Sequence, residues 1–264
     1  MYPKLLDLGP VTIHTYGLLL ALAFIAGIWV ASRNGMKEGI HPDSVWNMGL
    51  IIIFSALVGA KILLLISDYR YYSENPREIL SLSTLRSTGV FYGGLLLALA
   101  ATSWYIIRKG LPFWTMTDIC APGVALGQAI GRIGCHSAGC CYGKPTSLPW
   151  AVTFTNSYAH ENVGVPLNLP LHPTQLYESI GTFCLFLFLM WRQSKKHLRG
   201  AIILEYLILY GILRFAIEFF RGDDRGFVLY GLLSTSQFIA IPTVLGSAAF
   251  YILLLRRSRA DAPN

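Results

Sequence analysis

The segment Gly131-Arg132-Ile133-Gly134-Cys135-His136-Ser137-Ala138-Gly139-Cys140-Cys141-Tyr142-Gly143-Lys144 places an arginine, a histidine and three thiols at the end of a hydrophobic stretch. A charged side chain at membrane depth costs about 3 kcal/mol on insertion scales, so it is kept where it binds or transforms something polar. Arginine suits a phosphate, because its planar fork donates two parallel hydrogen bonds and never loses its proton. A second arginine, Arg214, lies in a run where helical spacing puts Arg214, Glu218 and Arg221 on one face. Arg132 and Arg214, on separate helices, make a clamp for a lipid phosphodiester. The competing structural use of each is an ion pair, Arg214 with Glu218 and Arg132 with Glu178 or Glu218.

Cys135, Cys140 and Cys141 follow the spacing C-x4-C-C with His136 alongside. Three chemistries are open to them. A metal site is one, although the spacing is a weaker signal than the paired C-x2-4-C units of zinc sites. A disulfide is favoured on an oxidising face, and a nucleophilic thiolate is favoured beside an arginine. Cys120 and Cys184 fall in apolar helix and read as buried packing residues. Tyr92 precedes Gly93-Gly94, and Tyr16 follows His14 in Ile13-His14-Thr15-Tyr16-Gly17. Interfacial tyrosine commonly anchors a span, but the flanking glycines also suit a wall that a ligand approaches closely.

These residues need membrane helices to position them. The chain has 264 residues, of which 54% are hydrophobic and 13% charged, and a mean hydropathy of +0.51, which excludes an ordinary soluble domain. Apolar runs long enough to cross a bilayer as helix lie near 13–32, 45–66, 90–107, 115–136, 172–191, 201–220 and 230–255. They predict an all-α polytopic bundle of about seven transmembrane helices, a single integral-membrane domain over 1–264, with the first run retained rather than cleaved. With the N-terminus outside and the C-terminus cytoplasmic, the inner connections hold 11 Lys and Arg residues and the outer ones 7, the direction expected of topogenic charge. Arg70, Arg77 and Arg86 run against that bias, or mark an outer loop that meets anionic lipid. The connections 67–89 and 137–171 are the long ones and fall outside, which places the chemistry at the outer face.

The net charge of +7 is no sign of nucleic acid, because no basic run is interleaved with aromatics. A transporter of an anionic solute would favour internal repeats, and none is seen. A membrane thiol–disulfide oxidoreductase working through Cys135, Cys140 and Cys141 is the competing enzyme class.

The run Gly131 to Thr146 with Pro149-Trp150, followed by His172-Pro173-Thr174-Gln175-Leu176-Tyr177-Glu178, resembles the signature of the prolipoprotein diacylglyceryl transferase family. The resemblance continues in Tyr16-Gly17, Tyr92-Gly93-Gly94, Tyr210-Gly211 through Arg214, Glu218 and Arg221, and Gln237 with Ile241-Pro242. It implies transfer of an sn-1,2-diacylglyceryl group from phosphatidylglycerol to the lipobox cysteine thiol of a prolipoprotein, with release of glycerol phosphate, at the bacterial inner membrane. The implied partners are phosphatidylglycerol, lipobox signal peptides and membrane lipids, with no cofactor and no metal. By that likeness Arg132 and Arg214 hold the lipid phosphate, Tyr16 lines the lipid pocket, and Glu218 and Arg221 fix the arginines. Gly93, Gly94 and Gly143 lie at the lipid site.

The chain departs from the family pattern at Cys135, Ser137 and Cys140, where the family carries Asn, a further Asn and Glu. It departs again at Lys61, where an arginine is usual, and at Tyr92, where the family has the His of His-Gly-Gly. Tyrosine, with a reference pKa near 10, is a poorer base at neutral pH than histidine near 6.5. Tyr92 is therefore expected among the catalytic residues as an orienting group, with His14 or His136 as auxiliary bases. A family member with a different acceptor is the remaining alternative.

Overall fold

The computed structural model describes residues 3–7, 12–81, 84, 89–223, 226–228 and 232–260. Among these, seven helices of 18 residues or more follow the seven predicted runs: α1 Thr15–Lys37, α2 Pro42–Ser67, α4 Phe91–Arg108, α5 Phe113–Ala138, α7 Thr174–Gln193, α8 Ala201–Glu218 and α9 Thr235–Ala260. Two short helices, α3 Tyr69–Glu74 and α6 Ser157–Val163, lie in the two long connections. Arg86 and Arg225, counted above among the outer charges, lie outside the described residues.

Four helices are long and apolar enough to cross a membrane by length and composition: Thr15–Lys37, Pro42–Ser67, Phe91–Arg108 and Thr235–Ser258. The other three also carry charge within their length: Asp118 and Arg132 in α5, Glu178 and Arg192 in α7, and Glu205, Arg214 and Glu218 in α8. The burial pattern is that of a protein dissolved in lipid. Phe54, Leu57, Leu96, Trp104 and Leu245 are exposed, while Asp118, Gln175, Glu178 and Arg214 are buried. Polar groups cannot face hydrocarbon without a partner, so they turn inward. The protein is an all-α polytopic membrane protein with small β-additions.

Contacts divide the chain into two compact units, residues 1–34 with 117–264, and residues 35–116. In the first, α1 meets α5 through glycine. A Cβ on Gly27 would strike the backbone of Gly123, and one on Gly127 would press the Ala23 carbonyl. Small residues let membrane helices approach this closely where larger side chains hold them apart. Gly181 of α7 faces Leu213 of α8 in the same way, and Gly211 of α8 faces Val244 of α9. A core of Ala121, Ala125, Leu185, Leu189, Ile202 and Tyr206 joins α5, α7 and α8. At one end, the Asp118 carboxylate accepts from Gly200 N at 2.6 Å and Ile203 N at 2.9 Å. It thereby satisfies backbone donors that the first turn of α8 leaves open.

The segment between α5 and α7 is more than the loop its prolines predict. Strands β3 Val152–Thr153 and β4 Pro170–Leu171 pair antiparallel, and α6 between them is capped by Asn156, whose side chain accepts from Ala159 N. Phe154, Ala159, Val165 and Leu171 form a buried core under it. Two further antiparallel pairs are present: β1 Lys4–Asp7 with β2 Thr12–His14, and β5 Phe227–Val228 with β6 Leu233–Ser234.

In the second unit α2 crosses α4 at Gly59 and Gly93, whose backbones leave no room for a side chain, and Gly94 lies against Ala56. Val90 N donates to Ala60 O at 3.0 Å. Lys61 donates from its ammonium to the Thr84 carbonyl.

Candidate phosphate and thiol site

Glu178 is the centre of the site. The second turn of α7 carries it inward with 1% of its surface exposed, and Arg132, six residues from the end of α5, meets it with Nη2 at 2.9 Å from Oε1. Tyr210 of α8 donates from its hydroxyl to the same oxygen at 3.3 Å. The second oxygen, Oε2, lies 3.9 Å from Arg221 Nη1. Tyr210 is within electrostatic reach of Arg132, Arg214 and Glu178 together, so the three charges share one neighbourhood. Arg214 pairs with Glu218 one turn on and donates from Nη2 to Ser236 Oγ of α9 at 2.8 Å.

The expected Arg214–Glu218–Arg221 face forms only in part. Helix α8 ends at Glu218, and Arg221 instead forms a β-bridge with Gly143. Its guanidinium binds Asp223 with both arms, at 2.9 and 2.8 Å. The approach is close because Gly143 has no side chain: a Cβ there would collide with the backbone of His172. Lys144 N to Phe220 O at 2.8 Å and Gly222 N to Tyr142 O at 3.1 Å complete the crossing. Gly143 therefore acts on the site by positioning Arg221.

Both structural ion pairs foreseen for the arginines are present, Arg132 with Glu178 and Arg214 with Glu218. They leave capacity for a ligand. A guanidinium has five N–H donors, and Arg132 commits one amino group to Glu178. Three guanidiniums and three carboxylates balance here, so the arginines are fixed donors rather than a bare excess of charge.

The thiols form a trio. The sulfurs of Cys135, Cys140 and Cys141 all lie within 4.8 Å of one another. Two residues of positive φ, Gly139 at 82° and Cys141 at 64°, fold the chain back to achieve this. Thr174 Oγ1 donates to Cys141 O at 2.7 Å and Gln175 Nε2 to Cys140 O at 2.8 Å. No disulfide joins any of the five cysteines, so the disulfide expected among the trio is not made. Hydrogen bonding to Cys135 and Cys141, reinforced by burial, pushes the Cys140 thiol above its ordinary value. Cys184, expected to be buried packing, is exposed, as an apolar-facing thiol on a lipid-exposed helix is.

Tyr16 joins this neighbourhood. It is half-buried on α1 with its ring against Gly134, within electrostatic reach of Arg132 and all three thiols. His14 is engaged elsewhere, its Nε2 lying 2.9 Å from Tyr158 OH. His136 packs its ring 5.8 Å from that of Phe154, with a buried Nδ1 that has no hydrogen-bond partner. Tyr92 belongs to the second unit, 41% exposed beside Phe91, where Gly93 and Gly94 serve the α2–α4 crossing.

Sequence reasoning did not find Tyr210, Gln175, Asp223 or Ser236 as parts of the site. The first two stand inside the quoted motifs, and the signal was a polar side chain in an apolar run. The run His172 to Glu178 is used almost throughout. His172 Nδ1 lies 3.3 Å from Tyr177 OH, which accepts from Trp150 Nε1 at 2.7 Å, while Thr174, Gln175 and Glu178 hold the thiols and the arginines.

The profile of the family described as Prolipoprotein diacylglyceryl transferase matches residues 3–253. A phosphatidylglycerol–prolipoprotein diacylglyceryl transferase of Clostridium tetani is 40% identical over 245 residues, covering 93% of this chain and 94% of the relative. The protein of that name numbered 2 in Clostridium perfringens is 34% identical over 253 residues, 94% of each chain. One from Nitratidesulfovibrio vulgaris is 33% identical over 267 residues, covering 99% of this chain and 96% of the relative. These likenesses do not favour the thiol–disulfide oxidoreductase alternative. With the match running through the arginines, Glu178 and the thiol segment alike, the chain belongs to the prolipoprotein diacylglyceryl transferase family.

Proposed function

We propose that this protein transfers the diacylglyceryl group of phosphatidylglycerol to the lipobox cysteine of a prolipoprotein signal peptide, releasing glycerol phosphate. The observation that carries the proposal is the convergence of Arg132, Arg214 and Arg221 around buried Glu178 and Tyr210. In the reaction the acceptor sulfur attacks the glycerol carbon that bears the phosphate ester, and the C–O bond breaks toward the phosphate. Negative charge gathers on the leaving phosphate oxygen. Fixed guanidiniums aimed at that oxygen stabilise the transition state more than the ground state, usually the largest catalytic term. Arg132 and Arg214 take this role, and Glu218, Asp223 and Glu178 hold the forks still. Tyr16 walls the lipid pocket near Arg132, and Tyr92 orients a substrate.

The site works at the outer face of the bacterial inner membrane, on a single multi-pass domain with its N-terminus outside and its C-terminus cytoplasmic. Membrane lipids surround it, and the substrate enters from among them. The test is mass spectrometry of a synthetic lipobox peptide incubated with the purified protein and phosphatidylglycerol. A diacylglyceryl mass gain on the cysteine that is lost in Arg214→Ala supports the reading. A well-folded protein that adds no mass refutes it.

A further inference from the structure

We propose that Cys135, Cys140 and Cys141 bind one zinc ion through three thiolates, and that the fourth coordination position is where the acceptor thiol becomes a thiolate. The acceptor part rests on the transferase reading above; the metal site does not.

The geometry favours three ligands over a cross-link. A disulfide uses two sulfurs and leaves the third idle, whereas here all three lie within 4.8 Å of one another. Tetrahedral zinc with Zn–S bonds of about 2.3 Å sets its sulfurs about 3.8 Å apart, so small side-chain rotations close the set. The loop that brings them together is held from outside. Cys141 sits at φ 64°, a conformation a non-glycine residue seldom adopts, and Thr174 and Gln175 clamp the carbonyls of Cys141 and Cys140. Supports of this kind fix the orientation of metal ligands.

Charge is provided for as well. Zinc with three thiolates carries one net negative charge, and Arg132 lies within electrostatic reach of Cys135 and Cys141. Arg221 lies within reach of Cys141. Among the described residues, no fourth His, Cys, Asp or Glu donor joins the group. Three protein ligands with one position open is the pattern of a catalytic zinc rather than a structural one. The trio is half-buried, so a ligand can reach it.

The chemistry balances without an oxidant. Three thiols and Zn2+ give the tris-thiolate and three protons to water. The acceptor thiol takes the open position and releases its proton to water, because a coordinating thiol is deprotonated outright. Its sulfur lone pair forms the C–S bond to the glycerol carbon as the C–O pair leaves with the phosphate held by the arginines. The thioether product is neutral and a weak ligand, so it dissociates. A metal-held thiolate removes the need for a strong side-chain base, which is the need that Tyr92 meets poorly.

The experiment uses the full chain in lipid nanodiscs containing phosphatidylglycerol, reduced, stripped with a chelator and reloaded with Zn2+ alone. Metal retained after desalting, protection of thiols from alkylation and transfer to a lipobox peptide are read together at pH 7. One zinc per chain is expected, protecting three thiols. Retention is lost in Cys135→Ser, Cys140→Ser or Cys141→Ser and kept in Cys184→Ser. Transfer by the zinc-loaded protein is expected to be about tenfold faster than by the stripped one, since a free thiol of pKa about 8.5 is only about 3% ionised at that pH. With Co2+ in place of zinc, the thiolate-to-cobalt band grows on adding the cysteine peptide and stays constant with its serine counterpart.

Protection of the wild-type thiols decides the metal site even where a serine variant fails to fold. A chain that retains no stoichiometric zinc, or whose trio has two thiols oxidised to a disulfide, overturns the site. Bound zinc with an unmoved cobalt spectrum and transfer equal before and after stripping overturns the acceptor position. Absence of transfer under every metal condition sinks the transferase reading and the acceptor position with it, while the retention and alkylation data still decide whether the zinc site exists.

Discussion

Arg132 Nη2 stands 2.9 Å from Glu178 Oε1, a bond between α5 and α7 made by a carboxylate with 1% of its surface exposed. The same carboxylate faces Arg221 with its other oxygen, so one acid on one helix sets the positions of two cations brought by other segments. A buried carboxylate in this position organises the site at the cost of partly neutralising it.

Removing Glu178 therefore leaves Arg132 buried without its partner. Glu178→Ala is expected to lower stability by about 3–5 kcal/mol, the usual loss when one member of a buried ion pair is deleted. Glu178→Gln keeps a hydrogen-bond acceptor and should lose less than half of that. Thermal unfolding of the two variants in one detergent checks the ranking; equal melting temperatures for wild type and Glu178→Ala would contradict it.

Arg214 is predicted to act through its fork rather than its charge. Arg214→Ala should reduce kcat/KM for the lipobox peptide by about 100- to 1,000-fold, the range seen when one preorganised donor to developing charge is removed. Arg214→Lys keeps the charge but cannot reach Glu218 and Ser236 as a planar fork does. It should remain nearer to the alanine variant than to wild type, and a lysine variant of full activity would show that a point charge suffices.

Two glycines of one motif should respond in opposite ways. Gly143→Ala drives a Cβ into the His172 backbone and the Phe220 carbonyl, parting the strand that carries Arg221, and overpacking of this kind costs about 1–3 kcal/mol. Gly131 has open space at its Cβ position, and within a helix Ala is better than Gly by about 0.5–1 kcal/mol. Gly131→Ala should melt at or above the wild-type temperature, as thermal scans of both variants will test.

With the orienting role proposed for Tyr92, its loss should fall on binding. Tyr92→Ala is expected to raise KM for phosphatidylglycerol by about tenfold with kcat within about threefold of wild type, the pattern of lost ground-state binding. Steady-state kinetics over a range of lipid content separate the two constants; a fall in kcat at unchanged KM would make the residue a base.

Hydrogen bonding to Cys135 and Cys141, together with burial, pushes the Cys140 thiol above its ordinary value. A raised thiol pKa means that the reactive thiolate is scarce at neutral pH and grows about tenfold per pH unit. In metal-free protein, alkylation of Cys140 at pH 8 should therefore be slower than that of a free peptide thiol of pKa about 8.5. Peptide mapping after timed alkylation at pH 7, 8 and 9 provides the measurement.

By itself the sequence determined that this is a helical membrane protein, where its long helices run, and which charges lie inside them, because length, hydropathy and helical period are local properties of the chain. The i, i+4 pairing of Arg214 with Glu218 was legible for the same reason. The motifs sufficed for the family resemblance. Only the tertiary structure decided that Arg221 leaves α8 and crosses Gly143, that Glu178 serves two arginines, and that three cysteines meet under the hold of Thr174 and Gln175. Those relations join segments far apart in the chain, and they are set by how closely glycine-faced helices pack. No periodicity within one segment records that.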